Sequence, residues 1–442
     1  MLEVFGDAAL VAAMLAFEAA LAEAEAAEDV IPARAAAPIA AACAAGIDIE
    51  SAVAAARSAG SLAIPLVTQL TAAVARRDAA AATYVHWGST SQDVIDSAMV
   101  LVTGRALDLI ESERDRLVRT LLRLATAHQA TPILARTLLQ PAQVVSFGFK
   151  VVAWIAPLQR ARARLARARA AALRLQLGGA VGTLAVLGDK GPAVARRVGV
   201  LLGLPAHDPW HVQRDDWAAL ACEVAVLCGS LAKIGTDLAL LAQAEVGEVA
   251  EPSGAGRGGS SAMPQKKNPV AAMTAIAAGM RAPHHAAAVL ATMAQAHERG
   301  LGEWQAELAE WPSLFLCAHG ALVALADAIE GLVVDGGRMR ENIERQRGAV
   351  FAEEAAALLA PSVGKAKASA LVGALAARAA AGEGELRALL GAEPAFRAID
   401  AGAVAAAFDV DRAARRAGAI AAAELERIAL PPISSGERHD LP

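Results

Sequence analysis

At 442 residues the chain is too long for one simple core, so two or three domains are expected. Hydrophobic residues make up 56% and aromatics only 3%, with much of the apolar share alanine, the strongest helix former, and an all-α protein with very little sheet is predicted. A net charge of -5 and a pI of about 6.0 give no ground for a nucleic-acid partner or a membrane surface.

The start, Met1-Leu2-Glu3-Val4, has no basic segment ahead of an apolar run. No secretory signal is predicted, and a cytoplasmic location is expected. Residues 8–28 read as an Ala/Leu/Glu helix, followed by shorter helical pieces near 33–44, 47–57 and 63–77 with breaks at Gly46, Gly60 and Pro65. A small N-terminal helical domain over 1–105 is expected. Within it, His86-Trp87-Gly88-Ser89-Thr90-Ser91-Gln92-Asp93 forms a turn, and Thr90 or Ser91 can cap the helix that follows. A helix start with free N–H groups and hydroxyls is a natural seat for a carboxylate.

A helix over 98–128 ends near Thr131-Pro132. Beyond it, Thr137 and Gln140 sit three apart and would share a face in a helix. Residues 150–176 form a long helix carrying Arg160, Arg162, Arg164, Arg167, Arg169 and Arg174. In a chain of net negative charge this is read as a solvated or inter-subunit face, not an RNA-binding one. Gly178-Gly179-Ala180-Val181-Gly182-Thr183 is no dinucleotide fingerprint, because a helix precedes it and the G-x-G-x-x-G spacing is absent. The most apolar run, 217–241, lies in a helix over 213–248 and carries Glu223, Lys233 and Asp237, which suits a buried bundle helix better than a membrane span. Cys43, Cys222, Cys228 and Cys317 are scattered and read as reduced core cysteines, with no metal site.

Gly256 to Pro269 breaks the helical pattern with glycines, serines and prolines. A loop between two long helical stretches is usually a site. Its hydroxyls, lysines, amides and backbone N–H groups suit a small anion, and a hydroxyl there serves as acid or base if its pKa is lowered. Helices resume over about 267–297, 308–330 and from 338. The Ala-rich end, with its Gly382-Glu383-Gly384 turn, suggests a C-terminal domain over 351–442, which leaves 106–350 as a central domain with the loop at 254–269.

The string G-S-S-x-M-P-x-K-x-N-P from Gly259 to Pro269 closely resembles the signature loop of the fumarase/aspartase superfamily. H-x-G-x-T-S-x-D from His86 resembles its first conserved region. R-T-x-x-Q-x-A from Arg136, with Phe147-Gly148-Phe149-Lys150 after it, resembles the second. The resemblance implies a three-domain fold whose central long-helix bundle forms the core of a homotetramer, with active sites shared between subunits. It implies Ser260 and Lys266 as catalytic residues, Ser260 moving a proton at a carbon beside a carboxylate. Lys266 and Asn268 would hold that carboxylate and its developing charge. His86, Thr90, Ser91, Arg136, Thr137, Gln140, Gln213 and Arg299 would contact the substrate, and no metal or organic cofactor is implied.

Many lyases of this superfamily place a histidine in the second region to protonate the leaving group, where this chain has Leu139, Gln140 and Pro141. Adenylosuccinate lyases carry another acid histidine ahead of the first region, where this chain has Ile64-Pro65-Leu66-Val67. Glu298-Arg299-Gly300-Leu301-Gly302-Glu303-Trp304 is similar instead to the carboxymuconate cycloisomerases of the superfamily. That likeness implies a small tricarboxylate substrate, a lactone product and a place in aromatic-compound degradation. A lyase of the adenylosuccinate type, releasing fumarate from a succinyl adduct, is the other expectation.

Overall fold

The computed structural model describes residues 1–253, 258–260, 262–263 and 265–428. Its helices are α1 (Asp7–Ala27), α2 (Ala33–Ala45), α3 (Ile49–Ala59), α4 (Ala63–Ala75), α5 (Ser91–Ala127), α6 (Phe147–Ala172), α7 (Gly191–Leu202), α8 (Asp215–Ala242), α9 (Val270–Ala291), α10 (Glu303–Glu330) and α11 (Gly336–Glu344). Beyond these come α12 (Ala352–Val363), α13 (Lys365–Ala380), α14 (Leu386–Gly391), α15 (Pro394–Arg397), α16 (Ala401–Ala407) and α17 (Val410–Ile428). Four short strands complete the described residues: β1 (Pro132–Thr137), β2 (Gln140–Ser146), β3 (Val249–Ala250) and β4 (Val333–Val334). The all-α fold expected from the alanine content is the fold observed.

Contacts divide the chain into two units, each assembled from three segments. One comprises 1–114, 160–232 and 275–323; the other 115–159, 233–274 and 324–442.

In the first unit the predicted breakers act as helix ends. Gly60 closes α3 in the left-handed conformation, and Gly46 follows α2 at φ 78°. Pro65 does not break a helix. It lies in the first turn of α4, where its missing N–H has no intrahelical partner to lose. Aromatic side chains anchor the core: Trp217 stacks on Trp311 at 3.9 Å and 9°, with Trp210 and Phe315 tilted against either end. Offset ring pairs of this kind contribute about 0.5–1.5 kcal/mol each beyond their buried area. Three arginines of α6 turn to the chain's own acids, Arg162 to Glu111, Arg164 to Glu223 and Arg169 to Asp108.

Helices α8 and α10 are long and apolar enough to cross a membrane by length and composition. Glu223, Lys233 and Asp237 within α8 are partnered. Glu223 pairs with Arg164 at 2.7 Å, and in the second unit Asp237 accepts the Trp154 indole N–H at 2.7 Å and pairs with Lys233 at 2.5 Å.

Buried in α1 is a carboxyl group with no hydrogen-bond partner on either oxygen among the described residues, Glu25, which is 0% exposed. Burial, with Glu18 adding repulsion, pushes it up to about 9, so it stays protonated at neutral pH. Its neutral form supports the fold fully below the ordinary value of 4.5, and that support is lost as pH rises towards 9. Glu25→Gln should therefore match the wild type in urea unfolding at pH 4.5 and gain about 3 kcal/mol by pH 7. Parallel stability curves for the two proteins across that range would show that Glu25 is ionised.

In the second unit β1 and β2 form an antiparallel hairpin, paired from Pro132↔Ser146 to Thr137↔Gln140. This corrects the helical reading of Thr137 and Gln140, which instead face each other across a two-residue turn. Leu138 and Leu139 make that turn at φ 51° and 64° and are 95% and 71% exposed. The hairpin's base is held by Leu134 and Val144 against Ile343, Val350 and Phe351. Helices α12 to α15 close over Leu359, Val372, Leu375, Leu386, Leu390 and Phe396. All four cysteines are free, and burial pushes Cys43 and Cys228 up to about 12, as inert core thiols.

Candidate active site

In the first unit, the turn before α5 is built around Asp93. This buried carboxylate accepts the backbone N–H groups of Thr90 at 3.1 Å, Gly178 at 3.0 Å and Gly179 at 2.9 Å, and His211 Nε2 lies 2.8 Å away. The Thr90 bond is half of a capping box at the start of α5. Glycine is required across from it, because a Cβ on Gly178 would lie 2.7 Å from Pro209 and one on Gly179 2.9 Å from the Gly88 carbonyl.

Arg299 is tied into the same turn. It donates to Thr90 Oγ1 at 2.8 Å and to the Ala180 carbonyl at 2.9 Å. Its Nε and Ser89 Oγ are buried without partners among the described residues, the kind of unmet capacity that a ligand satisfies. His86, at φ 59°, places Nδ1 2.5 Å from Glu18 Oε1. Burial alone would lower the His86 pKa, but Glu18, with help from Asp93, outweighs it and holds the value up. His86, Thr90, Ser91 and Arg299 thus share one turn and its surroundings. Gln213 does not join them: it is exposed, with its amide 3.5 Å from the Pro209 carbonyl. The neighbouring Arg214 is buried in ion pairs with Asp96 and Glu307.

In the second unit, Arg136 grips Glu248 through two bonds of 2.9 and 2.7 Å, and Asn342 Nδ2 donates to the same carboxylate at 2.8 Å. This paired geometry is the strong form of an arginine–carboxylate contact. Lys150 shares that neighbourhood, and burial lowers its pKa despite Asp237. Thr137 and Gln140 flank the exposed hairpin tip.

Of the signature loop, Ser261 and Pro264 lie outside the described residues, as does 254–257. Ser260 Oγ accepts backbone N–H groups from Met263 at 3.1 Å and Ala262 at 3.4 Å. Asn268 ties the loop's ends, its N–H reaching the Gly258 carbonyl at 2.8 Å and its Nδ2 the Gly259 carbonyl at 3.3 Å. Lys266 is exposed on the loop. At the loop's base, Glu251 accepts the N–H groups of Ala271 and Ala272 at 3.0 and 2.9 Å, capping the start of α9.

Sequence reading missed Glu18, Glu248, Asn342 and Glu251. Each is a carboxylate or amide far along the chain from its partner, with no local pattern to mark it. Asp93 closes the H-x-G-x-T-S-x-D string, but nothing in that string marks the backbone N–H groups it gathers from Gly178 and Gly179.

A helical chain carrying this turn, this hairpin and this loop has the architecture of a fumarase/aspartase-type lyase. The family model described as "Lyase" matches residues 1–282, and the chain belongs to that family, within the fumarase/aspartase superfamily. It is 48% identical to a 3-carboxy-cis,cis-muconate cycloisomerase of Bradyrhizobium diazoefficiens, over 86% of this chain and 85% of that protein. It is 43% identical to a nitrosuccinate lyase of Streptomyces davaonensis, over 83% of this chain and 79% of that protein. The crystal structure of 3-carboxy-cis,cis-muconate lactonizing enzyme from Pseudomonas putida superposes with a TM-score of 0.89 at 40% identity, covering 97% of each chain.

Proposed function

We propose that the chain is a 3-carboxy-cis,cis-muconate cycloisomerase, forming 4-carboxymuconolactone in the protocatechuate branch of aromatic breakdown in the cytoplasm. The observation that carries this is the likeness in sequence and structure to such enzymes along nearly the whole chain. Chemistry agrees with it. Expelling an amine or hydroxide calls for a general acid. In the reverse of a lactonisation the leaving group is the substrate's own carboxylate, a weak base that departs unaided. A chain with Leu139, Gln140 and Pro141 at the hairpin tip suits that reaction.

In the forward direction one carboxylate oxygen adds to the double bond. The C–O bond forms, and the π pair moves to the carbon beside a second carboxylate, giving an aci-carboxylate. That carbon takes the Ser260 proton, and Ser260 regains one from water, so each turnover consumes one proton. What supports Ser260 in this role is the pair of backbone N–H groups aimed at its Oγ, which would stabilise the alkoxide. Lys266 and Asn268 hold the developing charge. His86, Thr90, Ser91, Arg136, Thr137, Gln140, Gln213 and Arg299 hold the substrate's carboxylates, and no cofactor takes part.

The active sites are shared between subunits of a homotetramer built on the central bundle, with domains over 1–105, 106–350 and 351–442. The exposure of Thr137, Gln140 and Gln213 on the single chain supports that sharing. No membrane or nucleic acid is involved.

The first assay adds purified protein to 3-carboxy-cis,cis-muconate and follows loss of the conjugated-diene absorbance, with proton uptake in parallel. One proton consumed per diene lost is the expected result. The likeness to a nitrosuccinate lyase favours a second arm with nitrosuccinate and other succinyl adducts. Fumarate release there, with the diene untouched, would replace this function with a lyase on the same fold.

A further inference from the structure

We propose that Glu18, on α1, is a positioning residue for His86. Its carboxylate fixes the ring through Nδ1 and holds it as a cation, so that the other ring nitrogen offers a charged N–H to a substrate carboxylate. The proposal rests on the reading of His86 as a substrate contact given above.

The two side chains are 68 residues apart in sequence and 2.5 Å apart in space. Glu18 has a side chain wholly shielded from solvent, while His86 keeps 16% of its own exposed. The pair thus runs from the core to an accessible ring. The other oxygen of Glu18 is buried without a partner among the described residues, so the His86 ring is where this buried carboxylate finds its counter-charge. A neutral ring would leave the carboxylate uncompensated, and an uncompensated buried charge is strongly unfavourable. The left-handed backbone at His86, which histidine tolerates better than most residues, swings the ring to α1 and away from a regular path into α5.

The charges that act on the ring are Glu18 from α1 and Asp93 from α5, whose own carboxylate is held by His211, while Glu25 of α1 and Cys43 of α2 neighbour Glu18. Arg299 lies four residues along, on Thr90. Glu25 and Cys43 are both pushed far enough up to be neutral at pH 7. Glu18 and Asp93 are left to set the charge on the ring, and both favour the cation. This polarity contrasts with the usual histidine base, which needs its neutral form; here the ring works as a fixed positive end.

The test follows the ring itself by NMR titration of histidine labelled at the Cε1 carbon, with the His86 signal assigned by its loss in His86→Asn. In Glu18→Gln, His86 should lose about tenfold in proton affinity, one unit in its titration. The KM for 3-carboxy-cis,cis-muconate at pH 7.5 should rise by a similar factor, with kcat within about threefold of wild type. The alkaline limb of kcat/KM should move to lower pH by the same shift as the titration. Glu18→Asp keeps the charge on a shorter arm and should restore part of both effects. It also serves as the readout should Glu18→Gln not fold.

A folded Glu18 variant in which His86 titrates as in wild type overturns the proposal. His86→Asn separates it from the reading beneath it. If His86→Asn leaves KM unchanged while Glu18→Gln still shifts the titration, the ion pair stands and the substrate contact falls.

Discussion

Ser260→Ala is expected to lower kcat about a thousandfold while leaving the protein folded and its assembly unchanged. Positioned proton transfer typically accounts for a factor of 10² to 10⁴. The alanine removes the only atom assigned to that transfer. The loop itself should survive, because its closure depends on Asn268 and the Gly258 and Gly259 carbonyls, not on the serine. The N–H groups of Ala262 and Met263 lose an acceptor, but they belong to exposed residues that water can reach. Stability should therefore stay within about 0.5 kcal/mol. KM should change little, because the hydroxyl acts on the reacting carbon and not on the bound carboxylates. Steady-state kinetics with the diene substrate, beside gel filtration and urea unfolding, make the comparison. A variant that keeps more than a tenth of wild-type kcat would remove Ser260 from the mechanism.

The second large effect concerns stability. Arg214 is 2% exposed and lies between two buried carboxylates. Its Nη1 donates to Asp96 at 2.8 Å and its Nε to Glu307 at 3.1 Å, with Nη2 also engaged by both, and the guanidinium sits 4.4 Å from the centre of the Trp210 ring. Trp304 adds an indole N–H to Asp96 at 2.9 Å. Burial works against the charge on Arg214, but Asp96 and Glu307 outweigh it and raise its pKa. Burial also raises the Glu307 pKa, with Arg214 opposing. Arg214→Leu leaves both acids buried without their cation, and should cost about 3–5 kcal/mol. The urea midpoint should fall with the slope unchanged. A loss under about 1 kcal/mol would mean that the acids find protons or water easily, and that the cluster is not a structural anchor.

Arg214 also shows why a motif can be legible and its roles not. Gln213 and Arg214 are adjacent polar residues just ahead of the first turn of α8, and the string alone does not tell them apart. One side chain is left in solvent there, and the other is drawn into the core by Asp96 and Glu307. The long helices were legible because alanine and leucine dominate them and glycines such as Gly46 and Gly60 end them. The hairpin was not legible. Its tight turn needs positive φ at both central positions, which Asn-Gly usually announces. Here two leucines adopt it, at φ 51° and 64°, against their own preference. The signature loop, by contrast, could be read from its string alone. The N–H groups that converge on Ser260 Oγ could not, since they come together only once the chain has turned at Met263. Nor could the buried carboxylates Glu18 and Glu248 be read, because a lone glutamate in a helical run looks the same whether it meets water or an imidazole.

The aromatic stack at the core has an optical consequence. Of the six tryptophans, Trp87, Trp210, Trp217, Trp304 and Trp311 fall in the first unit, and Trp154 alone in the second. Two parallel indoles at 3.9 Å couple their electronic transitions, so near-ultraviolet circular dichroism should carry a paired band from Trp217 and Trp311. Ordinary emission would follow the first unit almost exclusively. The half of the chain that bears Ser260 would be nearly dark, visible only through Trp154, whose indole N–H is bound to Asp237 and whose ring meets the edge of Phe147. Light would thus record the melting of one unit and pass over the other.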